Sequence, residues 1–112
     1  MIAEPKIERA IQALQRCFQE CERCAAACLQ EPTVAELREC IRLDLECAEA
    51  CLGTARALLR GSHLSGGWLT LCVGLCETCT AECERHLHHE HCRECAEACR
   101  ACAAACREVL EA

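Results

Sequence analysis

The stretch HCRECAEACRACAAACREV, residues 91–109, carries cysteines at Cys92, Cys95, Cys99, Cys102 and Cys106. The steps alternate between three and four. On an α-helix that rhythm keeps every side chain on one face, a turn apart. It is the rhythm of a bundle helix whose seam faces partner helices. Here the seam carries sulfur where Leu or Ile is expected. The remaining residues are mostly Ala, Glu and Arg, which are strong helix formers. The segment therefore reads as a helix with one thiol stripe.

Three other segments carry the same kind of stripe. A first helix, predicted over about 5–30, starts at Pro5, a residue suited to the first helical position, with Glu4 beside it. Its inner face runs Ile7, Ala10, Leu14, Cys17, Cys21, Cys24, Cys28, and Pro32 stops it. A second helix is predicted over 33–60, with Thr33 and Glu36 spaced as a capping box. Its stripe is Leu37, Cys40, Asp44, Cys47, Cys51, Thr54, Leu58, with Gly61 as terminator. The loop GSHLSGG follows, with Ser65 as candidate cap of a third helix predicted over 66–87. That helix presents Leu69, Cys72, Cys76, Cys79, Cys83 and His86. After a His-rich turn, the fourth helix is predicted over 89–110.

The halves repeat. Shifted by 55 positions, Cys17, Cys21, Cys24, Cys28, Cys40, Cys47 and Cys51 fall on Cys72, Cys76, Cys79, Cys83, Cys95, Cys102 and Cys106. Asp44 falls on Cys99, and Leu37 on Cys92. Two copies of one helical hairpin with short loops imply an all-α, antiparallel up-down-up-down four-helix bundle, one domain over 1–112. Antiparallel order then sorts the ends. One end collects Ile7, Leu14, Leu58, Trp68, Leu69, Val109 and Leu110 as an apolar plug. The other collects Cys28, Leu37, Cys40, Cys83, Cys92 and every histidine except His63. Between them runs a thiol-lined tube.

Sixteen cysteines in 112 residues first suggest a secreted disulfide scaffold. The spacing opposes this. Same-face neighbours on a helix hold their Cβ atoms about 5–6 Å apart, where a disulfide wants roughly 3.5–4.5 Å. The start MIAEPKIERAIQ has early acid and no apolar core of a signal peptide, which points to a reducing, cytoplasmic setting. No apolar run is long enough to span a membrane. A net charge of −6 with no basic run argues against a nucleic-acid partner.

Thiolates are soft ligands that suit Cu(I), zinc and iron–sulfur clusters. As a mere hydrophobic filler, such a core would be underpacked and easily oxidised, with no gain over Ala or Val. Zinc takes about four ligands in a tetrahedron, and pairs such as Cys21/Cys24 and Cys76/Cys79 are compatible with it. Iron–sulfur clusters are usually wrapped by loops. Cu(I) neutralises one thiolate per ion, so many ions fit without building up charge in the interior. Pairs such as Cys83/His86 or His91/Cys92 lack a third orienting group and a pocket, so an enzyme is not expected.

The motifs CFQECERCAAAC, CVGLCETCTAEC and HCRECAEACRACAAAC together resemble the cytosolic, cysteine-rich four-helix bundle copper storage proteins. The likeness covers about Cys17 to Cys106. It implies storage of many Cu(I) ions per chain on the core cysteines, a homo-oligomer (usually a tetramer), and no catalysis. It also makes Asp44 and His91 candidate ligands near the mouth, because similar proteins use occasional Asp and His there. His86 continues the third stripe and is a further candidate, with His88 and His89 weaker ones and His63 a surface residue. Asp44 inside a thiol seam is costly unless paired, protonated or metal-bound. Leu43, Leu45, Leu52, Leu71, Val73 and Leu75 exceed one inward stripe, and Gly53 and Gly74 permit close helix approach, so self-association is expected.

Overall fold

The computed structural model describes residues 4–112. Four helices build it: α1 (Pro5–Leu29), α2 (Arg38–Arg60), α3 (Ser65–Cys83) and α4 (Glu90–Leu110). Short 3-10 turns, Val34–Leu37 and Glu84–His86, precede α2 and follow α3. α1 packs on α2 and α4, and α3 packs on α2 and α4, which closes a ring of four. The resulting rod measures 49 × 17 × 17 Å. This is the up-down-up-down bundle expected from the two hairpins.

Helix ends depart from expectation by a few residues. Pro5 opens α1 behind Glu4, as its missing N–H allows. The Thr33 side chain makes no capping bond. Its backbone carbonyl instead accepts from Glu36 N–H (2.9 Å), which winds a tight turn before α2 begins at Arg38. Ser65 is not a cap either but the first residue of α3. Its hydroxyl donates to the Ser62 carbonyl (2.6 Å), while Ser62 Oγ accepts from Leu64 N–H (3.1 Å).

Gly61 ends α2 as expected, and the reason is its backbone. Its φ is 66°, in the left-handed region. Gly61 N–H bonds to Leu58 O (3.1 Å) and Ser62 N–H to Ala57 O (3.0 Å), the paired closure of a Schellman motif. A Cβ there costs about 1–2 kcal/mol through its clash with the following carbonyl. Gly61→Ala should lower the melting midpoint of the metal-free protein accordingly, read by helical circular dichroism.

The core divides along the rod. At one end Leu14, Leu58 and Leu69 are buried, with Ile7 and Val109 half-buried against them. This is the expected plug, with two corrections. Leu110 is 41% exposed, and Trp68 lies on the outside of the bundle. The Trp68 indole covers Gly53, where a Cβ would sit 2.5 Å from the ring. Gly53 therefore admits an indole rather than another helix, and no neighbour comes within 4 Å of a Cβ at Gly74. Leu43, expected on the outer face, is buried. Leu45, Leu52 and Leu71 do stay exposed, whereas Val73 and Leu75 are half-buried against the core.

Candidate metal centre

All sixteen cysteines are buried and unpaired. None is more than 1% exposed, so the four stripes converge on the axis. Each helix supplies its share because the three-four spacing matches one face of the helix. The neighbouring sulfurs stand 3.7–4.0 Å apart. That is nearly twice a disulfide S–S bond of about 2.05 Å. The core is an array of free thiols.

The array follows the rod, with Asp44 bridging a break between sulfurs. Nearest the plug, Cys106 adjoins Cys72 and Cys102, and Cys51 Sγ lies 3.8 Å from Cys72 and 3.9 Å from Cys102. Cys51 then leads to Cys47 (4.0 Å), and Cys47 to Cys76 (3.7 Å) and Cys17 (4.0 Å). From Cys17 the path runs through Cys99 (3.7 Å) to Cys21 (3.8 Å), and Cys21 meets Cys95 (3.7 Å). Beyond Asp44 lie Cys40 and Cys83, 3.9 Å apart, and then Cys24, Cys28 and Cys92.

Asp44 is wholly buried at the point where a repeated cysteine would stand. Its Oδ1 accepts from the thiols of Cys79 (3.3 Å), Cys95 (3.4 Å) and Cys83 (3.7 Å), and its Oδ2 from Cys40 (3.8 Å). Burial pushes its pKa up to about 11, and the neighbouring thiolates of Cys79, Cys83 and Cys40 would push in the same direction. Asp44 is therefore a neutral carboxylic acid at pH 7. That is how an acid is tolerated in this seam.

At the mouth, His91 Nδ1 faces Cys24 (3.6 Å), Cys92 (3.6 Å) and Cys28 (3.8 Å). Burial pushes the Cys28 thiol above its ordinary value, with Cys40 and Cys92 adding to the effect. The other ring nitrogen of His91 pairs with Glu31 Oε2 at 2.9 Å. That bond holds the Glu31 carboxyl below the usual carboxylate range. One imidazole thus joins the thiols to a carboxylate outside them.

His86 is placed differently from the sequence expectation. α3 stops at Cys83, and His86 Nε2 meets Glu82 Oε2 at 2.8 Å rather than a thiol. The physical cause is Glu82 itself, a carboxylate only 8% exposed that needs partners. His86 and Arg85 supply them. His88 is exposed, and His89 turns toward Glu31. Glu31 and Glu82 were not singled out in the sequence. Glu31 could have been found, because antiparallel order places the α1–α2 loop at the same end as the His-rich turn.

Among the described residues, several sets of four cysteines hold all their sulfurs within 4.8 Å of one another. Three of these share no member: Cys17/Cys21/Cys47/Cys99, Cys24/Cys28/Cys40/Cys92 and Cys51/Cys72/Cys76/Cys102. A tetrahedral Zn–S bond of about 2.3 Å puts sulfurs about 3.8 Å apart, so distance alone suits a divalent ion too. Charge separates the possibilities. Four thiolates around a divalent ion leave −2 in a buried core, whereas one monovalent ion per thiolate leaves none.

Known proteins share this arrangement. The profile of a family described as copper storage protein (Csp) matches residues 3–111. A cytosolic copper storage protein from Streptomyces lividans, solved during copper loading with five coppers, is 46% identical. The alignment covers 96% of this chain and 93% of that one, with a TM-score of 0.93. The Cu(I)-bound Bacillus subtilis storage protein Csp3 is 39% identical over 92% of this chain and 96% of its own, with a TM-score of 0.87. A cysteine-rich B. subtilis protein, YhjQ, is 39% identical over 91 residues, 81% of this chain and 83% of that one.

Proposed function

The chain belongs to the copper storage protein family, and from that premise we propose how its bore is filled. The protein binds and stores multiple Cu(I) ions on its core thiolates. Its role is metal binding rather than catalysis. The observation that carries this is the array of buried free thiols along the rod, grouped at 3.7–4.0 Å and joined by Asp44 where the sulfur contacts break. As each ion arrives it replaces a thiol proton, so an S–H bond breaks, an S–Cu bond forms and H⁺ leaves to solvent. The interior then stays near neutral at any filling.

All sixteen cysteines serve as ligands in this reading. Asp44 and His91 join them because each lies within hydrogen-bonding reach of three or more thiols. His86 acts from outside the array, by hydrogen-bonding Glu82 at the rim. The chain works in the cytosol, as its Streptomyces relative is described to do. No helix among the described residues is long and apolar enough to cross a membrane. The exposed leucines of α2 and α3 support a homo-oligomer, with the tetramer favoured. An acidic chain without a basic patch gives nucleic acid no electrostatic foothold.

A zinc protein is the second reading, favoured by the sulfur tetrads. Anaerobic titration of reduced protein with Cu(I), against a competing chromophoric chelator, separates the two. Uptake should approach one ion per thiol, with free thiols vanishing and protons appearing in step. Sixteen thiols at four per ion allow only about four divalent ions. A Cu(I) plateau that low would overturn the storage reading.

A further inference from the structure

The outer ridge of α2 carries a charge order that reverses at its middle. Glu46 and Glu49 stand on one side of Gly53, and Arg56 and Arg60 on the other. Glu46 and Arg60 are each seven residues from Gly53, and Glu49 and Arg56 are four and three away. The Trp68 indole marks the same centre. It lines one groove with Glu46, Glu49 and Leu71, and the adjoining groove with Arg56 and Arg60. Glu46 pairs with Arg42 of its own chain at 2.6 Å. Among the described residues, Glu49, Arg56 and Arg60 make no ion pair.

Both edges of this ridge are apolar. Leu45, Leu52 and Leu59 recur every seven residues along one edge and are exposed. Trp68 and Leu71 of α3 form the other edge and are exposed as well. When two copies of a helix meet antiparallel about a twofold axis between them, each edge faces its own counterpart. Pairing centred level with Gly53 sets Glu49 against Arg56 and Glu46 against Arg60, each twice over. It also sets Leu45 against Leu59, Leu52 against its own copy, and the Trp68 edge against itself. Parallel pairing would set Glu on Glu and Arg on Arg. A side of the rod 49 Å long and 17 Å wide offers about 800 Å². That matches the roughly 800 Å² that each partner buries in a stable complex.

We propose that two copies of this chain dock through α2, antiparallel and level at Gly53, so that Glu46 and Glu49 of each copy meet Arg60 and Arg56 of the other. The proposal rests on the homo-oligomer and assigns its surface. The apolar edges supply the contact area, and the charges fix direction and register. Exposed ion pairs contribute little one by one. Like charges held face to face repel, so the charge order acts chiefly against wrong alignments.

Sedimentation velocity of reduced, metal-free, full-length protein tests this with two double variants. Arg56→Glu with Arg60→Glu makes all four positions acidic, and Glu46→Lys with Glu49→Lys makes all four basic. Either variant alone should associate more weakly than wild type by about tenfold or more, since every charge contact becomes repulsive. An equimolar mixture of the two should recover wild-type association, because an acidic ridge matches a basic one on both sides of the axis. All four positions lie outside the core, and circular dichroism checks that the helices persist. Variants that assemble as well as wild type, or a mixture that recovers nothing, would overturn this surface while leaving a homo-oligomer built through another. A wild-type chain that sediments as a monomer throughout would overturn the surface and the homo-oligomer together.

Discussion

Metal-free protein should lose stability as pH rises from 5 to 8, and Asp44→Asn should remove most of that loss. The direction follows from where the proton sits. Below about pH 4 the Asp44 carboxyl is protonated whether the chain is folded or not. Above that, the unfolded chain releases the proton. The folded chain keeps it, because burial raises its pKa to about 11. The native state then binds more protons than the unfolded one, so each rise in pH favours unfolding. The limiting slope is about 1.4 kcal/mol per pH unit, or about 4 kcal/mol between pH 5 and 8. Asn Oδ1 accepts from Cys79, Cys95 and Cys83 as Asp44 Oδ1 does, its amide N–H₂ donates toward Cys40 in place of Oδ2, and it carries no titrating proton, so its profile should be flatter. Thermal unfolding of reduced wild-type and variant protein at several pH values measures the difference. The range stops at pH 8 because ordinary thiols begin to ionise above it.

Leu14→Ala should be the most damaging single truncation for the empty protein. Large buried aliphatics are few here: Ile11, Leu14, Leu37, Leu43, Leu58 and Leu69. Nearly everything else buried is Cys or Ala. Leu14 is wholly buried in the plug, one turn from Cys17. Removing its branched end costs about 2–5 kcal/mol through lost transfer energy and an unfilled cavity. Total stability of such a domain is about 5–15 kcal/mol. The melting midpoint of the metal-free variant should fall by roughly 10–20 °C. Its Cu(I) capacity should not change, since every thiol remains. Loss of capacity together with stability would show that plug and bore are not separable.

These residues also show how far the sequence could be read. Cysteine is a clear marker of an inward face when it recurs at helical spacing, so four stripes and a 55-residue repeat already defined the bundle and its lining. Asp44 was recognisable as an odd member because its repeat mate is Cys99. Helix ends were less legible. Thr33 and Glu36 have the spacing of a capping box, yet the turn after Pro32 closes through backbone bonds and leaves the hydroxyl unused. Antiparallel order places Trp68 at the plug end, but α3 is apolar on most of its surface, so its composition does not choose a face. Gly53, on another helix, makes the choice by leaving room for the ring. Helical spacing carries the α3 stripe on to His86, as though α3 continued. A buried glutamate four residues earlier redirects it, and that burial is a tertiary fact that no local pattern carries.

The lone indole, resting on Gly53 with 36% of its surface open, has an optical consequence. The chain contains no tyrosine, so nearly all its near-ultraviolet emission comes from this fluorophore. It sits on the exterior seam between two helices rather than beside the sulfurs. Its emission colour will therefore track whatever touches that seam, including another subunit, and not the filling of the interior. Cargo must be followed instead through sulfur-to-metal charge-transfer absorption, which a protein so poor in aromatics leaves almost unobscured.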